Sequence, residues 1–169
     1  INYTYDNNSN LETKTDARNV VTTFTYDGLN RVRTRNYSGP APGGDTPDVT
    51  YSYDSATPAV PNSKGRLVSV SSSVSTYKYG SYDAVGRALT GTQTTEGQNY
   101  AMSYAYNLAG GMTSQTYPSG RVVATDYDDA GRISGVRNQA TGLYYAGAGP
   151  TDAVNRIQYT PHSAIAVMK

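Results

Sequence analysis

Carboxylates are the groups in this chain most able to do chemistry, because six of its 13 acidic residues recur in one local pattern. Asp6, Asp27, Asp54, Asp83, Asp128 and Asp152 each stand at the head of it, and Asn107 heads a seventh copy. Two opposed carboxylates could serve a glycosidase, and the dense stretch Asp126-Tyr127-Asp128-Asp129 could hold a hard cation through oxygen. The surroundings favour neither use. Asp126 and Asp128 share a strand face, Asp128 is itself a turn residue, and nothing nearby fits a calcium loop. Beyond the aspartates the carboxylates are Glu12 and Glu96, both in polar linkers, so no acid–base pair stands out. His162 is the single histidine, and Tyr159-Thr160-Pro161-His162-Ser163 resembles a turn after a strand, not a base aimed at a serine. With no cysteine there is no thiol nucleophile and no disulfide. The residues predict no enzyme, no metal site and no cofactor.

The aspartates belong to a frame that must be explained first, since overlooking a repeat misassigns the whole fold. It appears as Tyr26-Asp27-Gly28-Leu29-Asn30-Arg31-Val32, as Tyr82-Asp83-Ala84-Val85-Gly86-Arg87-Ala88 and as Tyr127-Asp128-Asp129-Ala130-Gly131-Arg132-Ile133. The aromatic pairs Tyr3-x-Tyr5, Phe24-x-Tyr26, Tyr51-x-Tyr53 and Tyr104-x-Tyr106 have the spacing that puts both rings on one strand face. Asp is favoured where a type I turn begins, because its carboxylate bonds the backbone two residues on. Three residues later comes Gly86, Gly110 or Gly131, or else Asn30 or Asn155, with Gly65 in the same slot of the third unit. These residues tolerate the positive φ of a type I turn closed by a bulge. An apolar residue then starts the return strand. Each unit predicts a β-hairpin.

Tyr-Asp-x-x-Gly-Arg-apolar resembles the YD repeat of rearrangement-hotspot (Rhs) proteins, of the cocoon subunits of insecticidal toxin complexes and of teneurins. Seven units cover nearly all of residues 1–169, which read as a single repeat segment and a fragment of a longer polypeptide. There are departures: Ser9 stands where Gly is expected, Gly111 replaces the Arg, residues 55–64 interrupt the third unit, and Thr151 precedes Asp152 in place of Tyr. The resemblance implies an arc of a hollow β-spiral shell. In the bacterial proteins such a shell encloses a toxic C-terminal domain, released by self-cleavage and delivered to another cell. Flanking repeats and that effector domain are the partners it implies, and a secreted or cell-surface bacterial location follows.

Composition is consistent with a folded chain of this kind. Large aliphatics are sparse, but the net charge is only +1 and 17 tyrosines supply apolar area, about 150–250 Å² for each well-buried ring. Disordered chains combine few aromatics with high charge. No run is long and apolar enough for a membrane span, and no signal peptide is visible at residues 1–5. No stretch sustains a 3.6-residue apolar period, so almost no helix is expected.

In chain order, Thr13 to Asn19 reads as a polar turn, residues 38–48 as a long Gly/Pro connection, and Thr90 to Asn99 as a linker between hairpins. Gly80 suggests a bulge, and Tyr117-Pro118-Ser119-Gly120 a second tight turn. The whole is an all-β chain of repeated antiparallel hairpins, a dozen strands or more in one wide, curled sheet.

The arginines leave one alternative. Arg31, Arg66, Arg87, Arg132 and Arg156 follow the turn Gly or Asn, where each could stack on a neighbouring unit's Tyr or pair with a turn Asp. A row of Tyr5, Tyr26, Tyr53 and Tyr106 with Arg31, Arg66, Arg87 and Arg132 could instead contact cell-surface glycans. Solvent-exposed tyrosines on one contiguous face would favour that reading; tyrosines packed under neighbouring hairpins would favour a structural wall. Balanced charge argues against nucleic acid.

Overall fold

The computed structural model describes residues 1–39, 46–54 and 59–168. Parts of the two predicted insertions, residues 40–45 and 55–58, lie outside the described residues. Among the described residues there is no helix, and hence none long and apolar enough to cross a membrane. Thirteen of the fifteen strands follow one another in sequence order in an open antiparallel sheet, and the last two pair with each other. The chain is all-β. It divides into two compact units, Ile1–Asn99 and Tyr100–Lys169.

The first unit contains β1 (Asn2–Tyr5), β2 (Leu11–Thr15), β3 (Val21–Tyr26), β4 (Val32–Ser38), β5 (Val49–Tyr53), β6 (Leu67–Ser71), β7 (Ser75–Tyr82) and β8 (Ala88–Thr95). Register sorts its residues into two unlike faces. Thr25, Thr34, Thr50, Ser71, Thr76 and Thr94 stand opposite one another across six strands, a row made only of hydroxyls. On the other face Phe24 opposes Arg35 and Arg35 opposes Val49, while Tyr51, Val70, Tyr77 and Gln93 form the next row. Because successive strand residues point to opposite sides, Thr and Ser alternating with Tyr, Val and Phe produce this division. The β-branched threonines suit an extended backbone whichever face they take.

The second unit contains β9 (Gln98–Tyr106) from Tyr100 on, then β10 (Met112–Thr116), β11 (Val122–Tyr127), β12 (Ile133–Asn138) and β13 (Tyr144–Gly147) in up-and-down order, and β14 (Gln158–Tyr159) pairs with β15 (Ile165–Val167). The segment after β13 is anchored on β12, where the Ser134 carbonyl accepts the amides of both Ala148 and Ile157. Ile157 and Ala148 are buried there beside a fully buried Ser134.

Two local expectations need correction. Thr90 to Asn99 is not a linker: β8 runs to Thr95 and β9 begins at Gln98, with Glu96 and Gly97 at φ 50° and 76° between them. Two successive positive φ values make a tight hairpin turn, and alternating threonines extend the strands up to it. The turn predicted over Thr13 to Asn19 is also shorter, because β2 continues to Thr15 and Asp16 to Val20 closes with the Asp-headed geometry described below. At Gly80 the pairing of β7 with β8 shifts register, since Tyr79 opposes Gly91 and Ser81 opposes Thr90.

Candidate functional site

The repeated turn is built the same way at Asp27, Asp83 and Asp128. The aspartate amide donates to the carbonyl of Arg31, Arg87 or Arg132 at 2.8–2.9 Å, and the amide of Asn30, Gly86 or Gly131 donates back to the aspartate carbonyl. Oδ1 accepts two further amides, those of Leu29 and Arg31, Val85 and Arg87, or Ala130 and Arg132. Oδ2 accepts the Nε of the arginine at 2.6–2.9 Å. Asn30, Gly86 and Gly131 sit at φ 59°, 94° and 74°.

These contacts explain the ionisation of the carboxylates. The Arg31 amide and guanidinium hold Asp27 below the usual carboxylate range, and the Arg132 guanidinium and amide do the same for Asp128. Burial raises the Asp83 carboxyl, but the Arg87 contacts outweigh it and the net shift is downward. Asp6 is lowered by the Asn10 side chain and amide, with Ser9 itself at φ 64°. Asn10 donates to Asp6 and also to Asn30 Oδ1 at 2.9 Å. Asn107 accepts the Gly111 amide at 2.8 Å, and Gly110 takes φ 93°.

Two units differ. At Asp54 the amide still donates to the Arg66 carbonyl, so the residues between them lengthen the loop without changing how the hairpin closes. Asp54 itself now takes φ 72°, its carbonyl accepts the Ser63 hydroxyl, and its Oδ1 accepts the Gly65 amide. At Asp152 the amide donates to Gly149, and Asp152 accepts the Arg156 amide. Asn155 bonds the Asp152 carboxylate but is not among the residues of positive φ, a correction to the expectation of a bulged turn there. No preceding strand meets this turn, so no bulge is required.

The arginines reach beyond their own turns. Arg31 also donates to Asp54 Oδ2 at 2.8 Å and lies 4.4 Å from the Tyr53 ring centroid. Arg66 lies over Tyr82 at 5.8 Å and Arg132 over Tyr159 at 4.8 Å. The tyrosines answer in the other direction. The Tyr26 hydroxyl donates to the Leu11 carbonyl at 2.8 Å, Tyr127 to Met112 at 2.9 Å, and Tyr82 to Leu67. Tyr159 donates to Ile133 at 2.9 Å, taking up the place that Thr151 cannot fill. Tyr82 and Tyr159 thus each receive both a carbonyl and a cation from the unit before. Burial, and then the neighbouring Tyr79, push the Tyr82 hydroxyl up to about 12.

This ladder of hydroxyl-to-carbonyl bonds was missed in the sequence reading, although a signal existed. The spacing from apolar residue to next frame tyrosine is constant for Leu11 to Tyr26, Leu67 to Tyr82 and Met112 to Tyr127. Tyr5 is 62% exposed and Tyr106 is half-buried. The Asp126–Asp129 stretch is committed elsewhere. Asp126 accepts Arg137 Nε at 2.9 Å and the Tyr144 hydroxyl at 2.6 Å, and Asp128 serves its turn. Among the described residues no three His, Asp or Glu side chains converge on a point that could hold a metal. His162 is exposed in a turn closed by the Thr160 amide on the Ala164 carbonyl.

No protein-family model and no curated protein sequence matches the chain. Solved structures do match. TcdB2-TccC3 without its hypervariable C-terminal region aligns with 96% of this chain at a TM-score of 0.73 and 13% identity, over 9% of that chain. The Photorhabdus luminescens Tc holotoxin pore, with a TccC3 variant, aligns with 99% of this chain at a TM-score of 0.68 and 14% identity, over 10% of that chain. TcdB2-TccC3-TEV aligns with 79% at a TM-score of 0.63 and 14% identity, over 8% of its length. This chain therefore spans a tenth or less of the chains it matches. It has the fold of a segment of these toxin-complex proteins.

Proposed function

We propose that this chain is a length of wall in a larger YD-repeat shell, and that the parent protein encloses and helps deliver a C-terminal toxin or effector domain. The observation that carries the proposal is the alignment of 96% of the chain with 9% of a TcdB2-TccC3 chain. Its interior chemistry agrees with a wall. The side chains that might have formed an active site hold one repeat to the next: Arg31 on Asp54 and Tyr53, Tyr26 on Leu11, Tyr127 on Met112. A side chain held in such bonds is oriented toward its neighbouring repeat, as a wall requires. On this reading the segment is not a catalyst, and its partners are the flanking repeats and the enclosed domain. The parent would be secreted or presented at a bacterial surface. The turn residues Asp6, Asp27, Asp54, Asp83, Asn107, Asp128 and Asp152 then serve to set one hairpin against the next.

The test is made on the parent polypeptide. Its intact mass reports whether a C-terminal piece is cleaved, and added protease reports whether that piece is protected. A cleaved piece that stays associated and resists protease until the shell is denatured is the expected result. An uncleaved parent whose C-terminal domain is digested as fast as a free protein would refute enclosure.

A further inference from the structure

We infer that a hollow on the sheet of the first unit captures the free C-terminus of a polypeptide, with Arg35 on its α-carboxylate and an apolar last side chain in the hollow. This stands apart from the shell reading and can fail without it. Among the described residues most arginines have a partner oxygen: Arg18, Arg31, Arg87, Arg132 and Arg137 meet aspartates, and Arg66 and Arg156 meet carbonyls. Arg35 is the exception that is also sheltered. Its Nε is buried and has no hydrogen-bond partner, and the Tyr37 ring centroid lies 5.4 Å from the guanidinium. Phe24 and Val49 stand opposite it on the flanking strands, and neither side chain carries an acceptor. Asp48, immediately before Val49, accepts the Tyr37 amide at 2.8 Å instead. A buried donor without an acceptor is costly, and a ring face recovers only part of that cost. The place beside Arg35 therefore favours an anion from outside the sheet.

The hollow says what carries the anion. Arg35 lines it with Val49, Tyr51, Val70, Tyr77 and Gln93, around a volume of about 190 Å³, and none of its lining residues is acidic. That is smaller than a drug-sized site of ~300–1,000 Å³ and suits one large side chain. A guanidinium presents two parallel N–H groups to a carboxylate. A C-terminal residue bears its carboxylate and its side chain on the same carbon, so one residue meets that fork and covers the valine and tyrosine surfaces together. An internal acidic residue ends in its carboxylate and would leave those surfaces wet. A third contact points to a peptide. Gln93 Nε2 donates to the Thr95 hydroxyl at 3.0 Å, which leaves Oε1, without a donor among the described residues, to accept the amide N–H of the last residue. The ligand is a chain end with an apolar final residue, held by charge, by apolar burial and by one amide bond.

The experiment titrates the 169-residue chain by calorimetry at fixed salt. The probes are N-acetyl-glycyl-glycyl-phenylalanine, its C-terminal amide, the C-terminal amide of N-acetyl-glycyl-glycyl-glutamate, and phenylpropionate. The first amide lacks the carboxylate, the second moves it to a side chain, and phenylpropionate keeps acid and ring but has no amide N–H. Saturable binding of the free-acid peptide is expected, with neither amide binding and phenylpropionate about tenfold weaker. Arg35→Gln should weaken the free-acid peptide about tenfold or more, the effect of losing a charge-assisted pair of hydrogen bonds. Arg121→Gln, which removes an arginine stacked over Tyr117 in the second unit, should leave binding unchanged. Circular dichroism checks that each variant is folded. If Arg35→Gln is not, Arg35→Lys, which keeps the charge and loses the fork, must show an intermediate loss. Equal binding of either amide, phenylpropionate as tight as the peptide, an unaffected Arg35 variant, or no binding at all would each overturn the proposal.

Discussion

Gly86 lies directly beneath the guanidinium of Arg66, so close that a β-carbon at residue 86 would collide with it. Arg66 belongs to the third repeat and Gly86 to the fourth, so a side chain at residue 86 would have to displace the end of the neighbouring repeat's arginine as well as bear the φ of 94°. Gly131 occupies the equivalent turn slot at φ 74° with open space around it. The two positions separate backbone strain from packing. Gly131→Ala should cost only the left-handed conformation, roughly 1–2 kcal/mol. Gly86→Ala should cost more and should loosen Arg66 from Tyr82. Urea denaturation of both variants checks this, and equal losses would mean that the Arg66 contact carries no energy. Valine at either site should be worse still, because a β-branched residue resists positive φ.

The hydroxyl ladder predicts a matched set of small losses. Tyr26→Phe and Tyr127→Phe keep the ring and delete only the bond to the Leu11 or Met112 carbonyl. Each should destabilise by about 0.5–1.5 kcal/mol. The sites are far apart in sequence and share no partner, so the double variant should show the sum. Denaturation midpoints unchanged in both single variants would show that the bonds are incidental to the fold.

How far the sequence could be read depends on whether a feature is local. The turn at Asp27 is local, since the carboxylate, its amides and Asn30 lie within five residues, and the pattern names them. The partner of Arg31 is not local. Asp54 and Tyr53 are reached because β4 pairs with β5, with Arg35 opposite Val49, and only register can say so. Thr90 to Asn99 misled for another reason. Threonine, glycine and glutamine suggest a loop by composition, yet alternation on a two-residue turn makes the same residues strand.

Acid should weaken the repeat turns. Asp27 and Asp128 are lowered by Arg31 and Arg132, and the folded state therefore binds protons less readily than the unfolded one. The resulting stabilisation is fully present above the unfolded carboxyl value, about 3.9, and is lost as pH falls through the folded value. Stability should be flat near neutrality and decline below about pH 4. Asp27→Asn and Asp128→Asn should be less stable than the parent at pH 7 and should approach it in acid. An acid limb of unchanged steepness in the double variant would place the titrating groups elsewhere.

The interrupted third repeat offers the most direct test of the frame. Deleting residues 55–62 leaves Asp54-Ser63-Lys64-Gly65-Arg66-Leu67, which restores the spacing of the other units. Asp54 already closes on Arg66 as Asp27 closes on Arg31. The register of β5 with β6, Tyr51 opposite Val70 and Ser52 opposite Ser69, should therefore survive. What should be lost are the bonds of Tyr82, whose amide donates to the Pro61 carbonyl at 3.2 Å and whose carbonyl accepts Asn62 Nδ2 at 2.8 Å, together with the Arg66 bond to the Asn62 carbonyl and the Ser63 amide bond to the Val60 carbonyl. Amide hydrogen exchange resolves the two effects. Protection along β5 and β6 should be retained while the Tyr82 amide exchanges faster, because its acceptor has gone. If protection in β5 and β6 collapses as well, the insertion is a structural part of the hairpin and not a loop added to a complete turn.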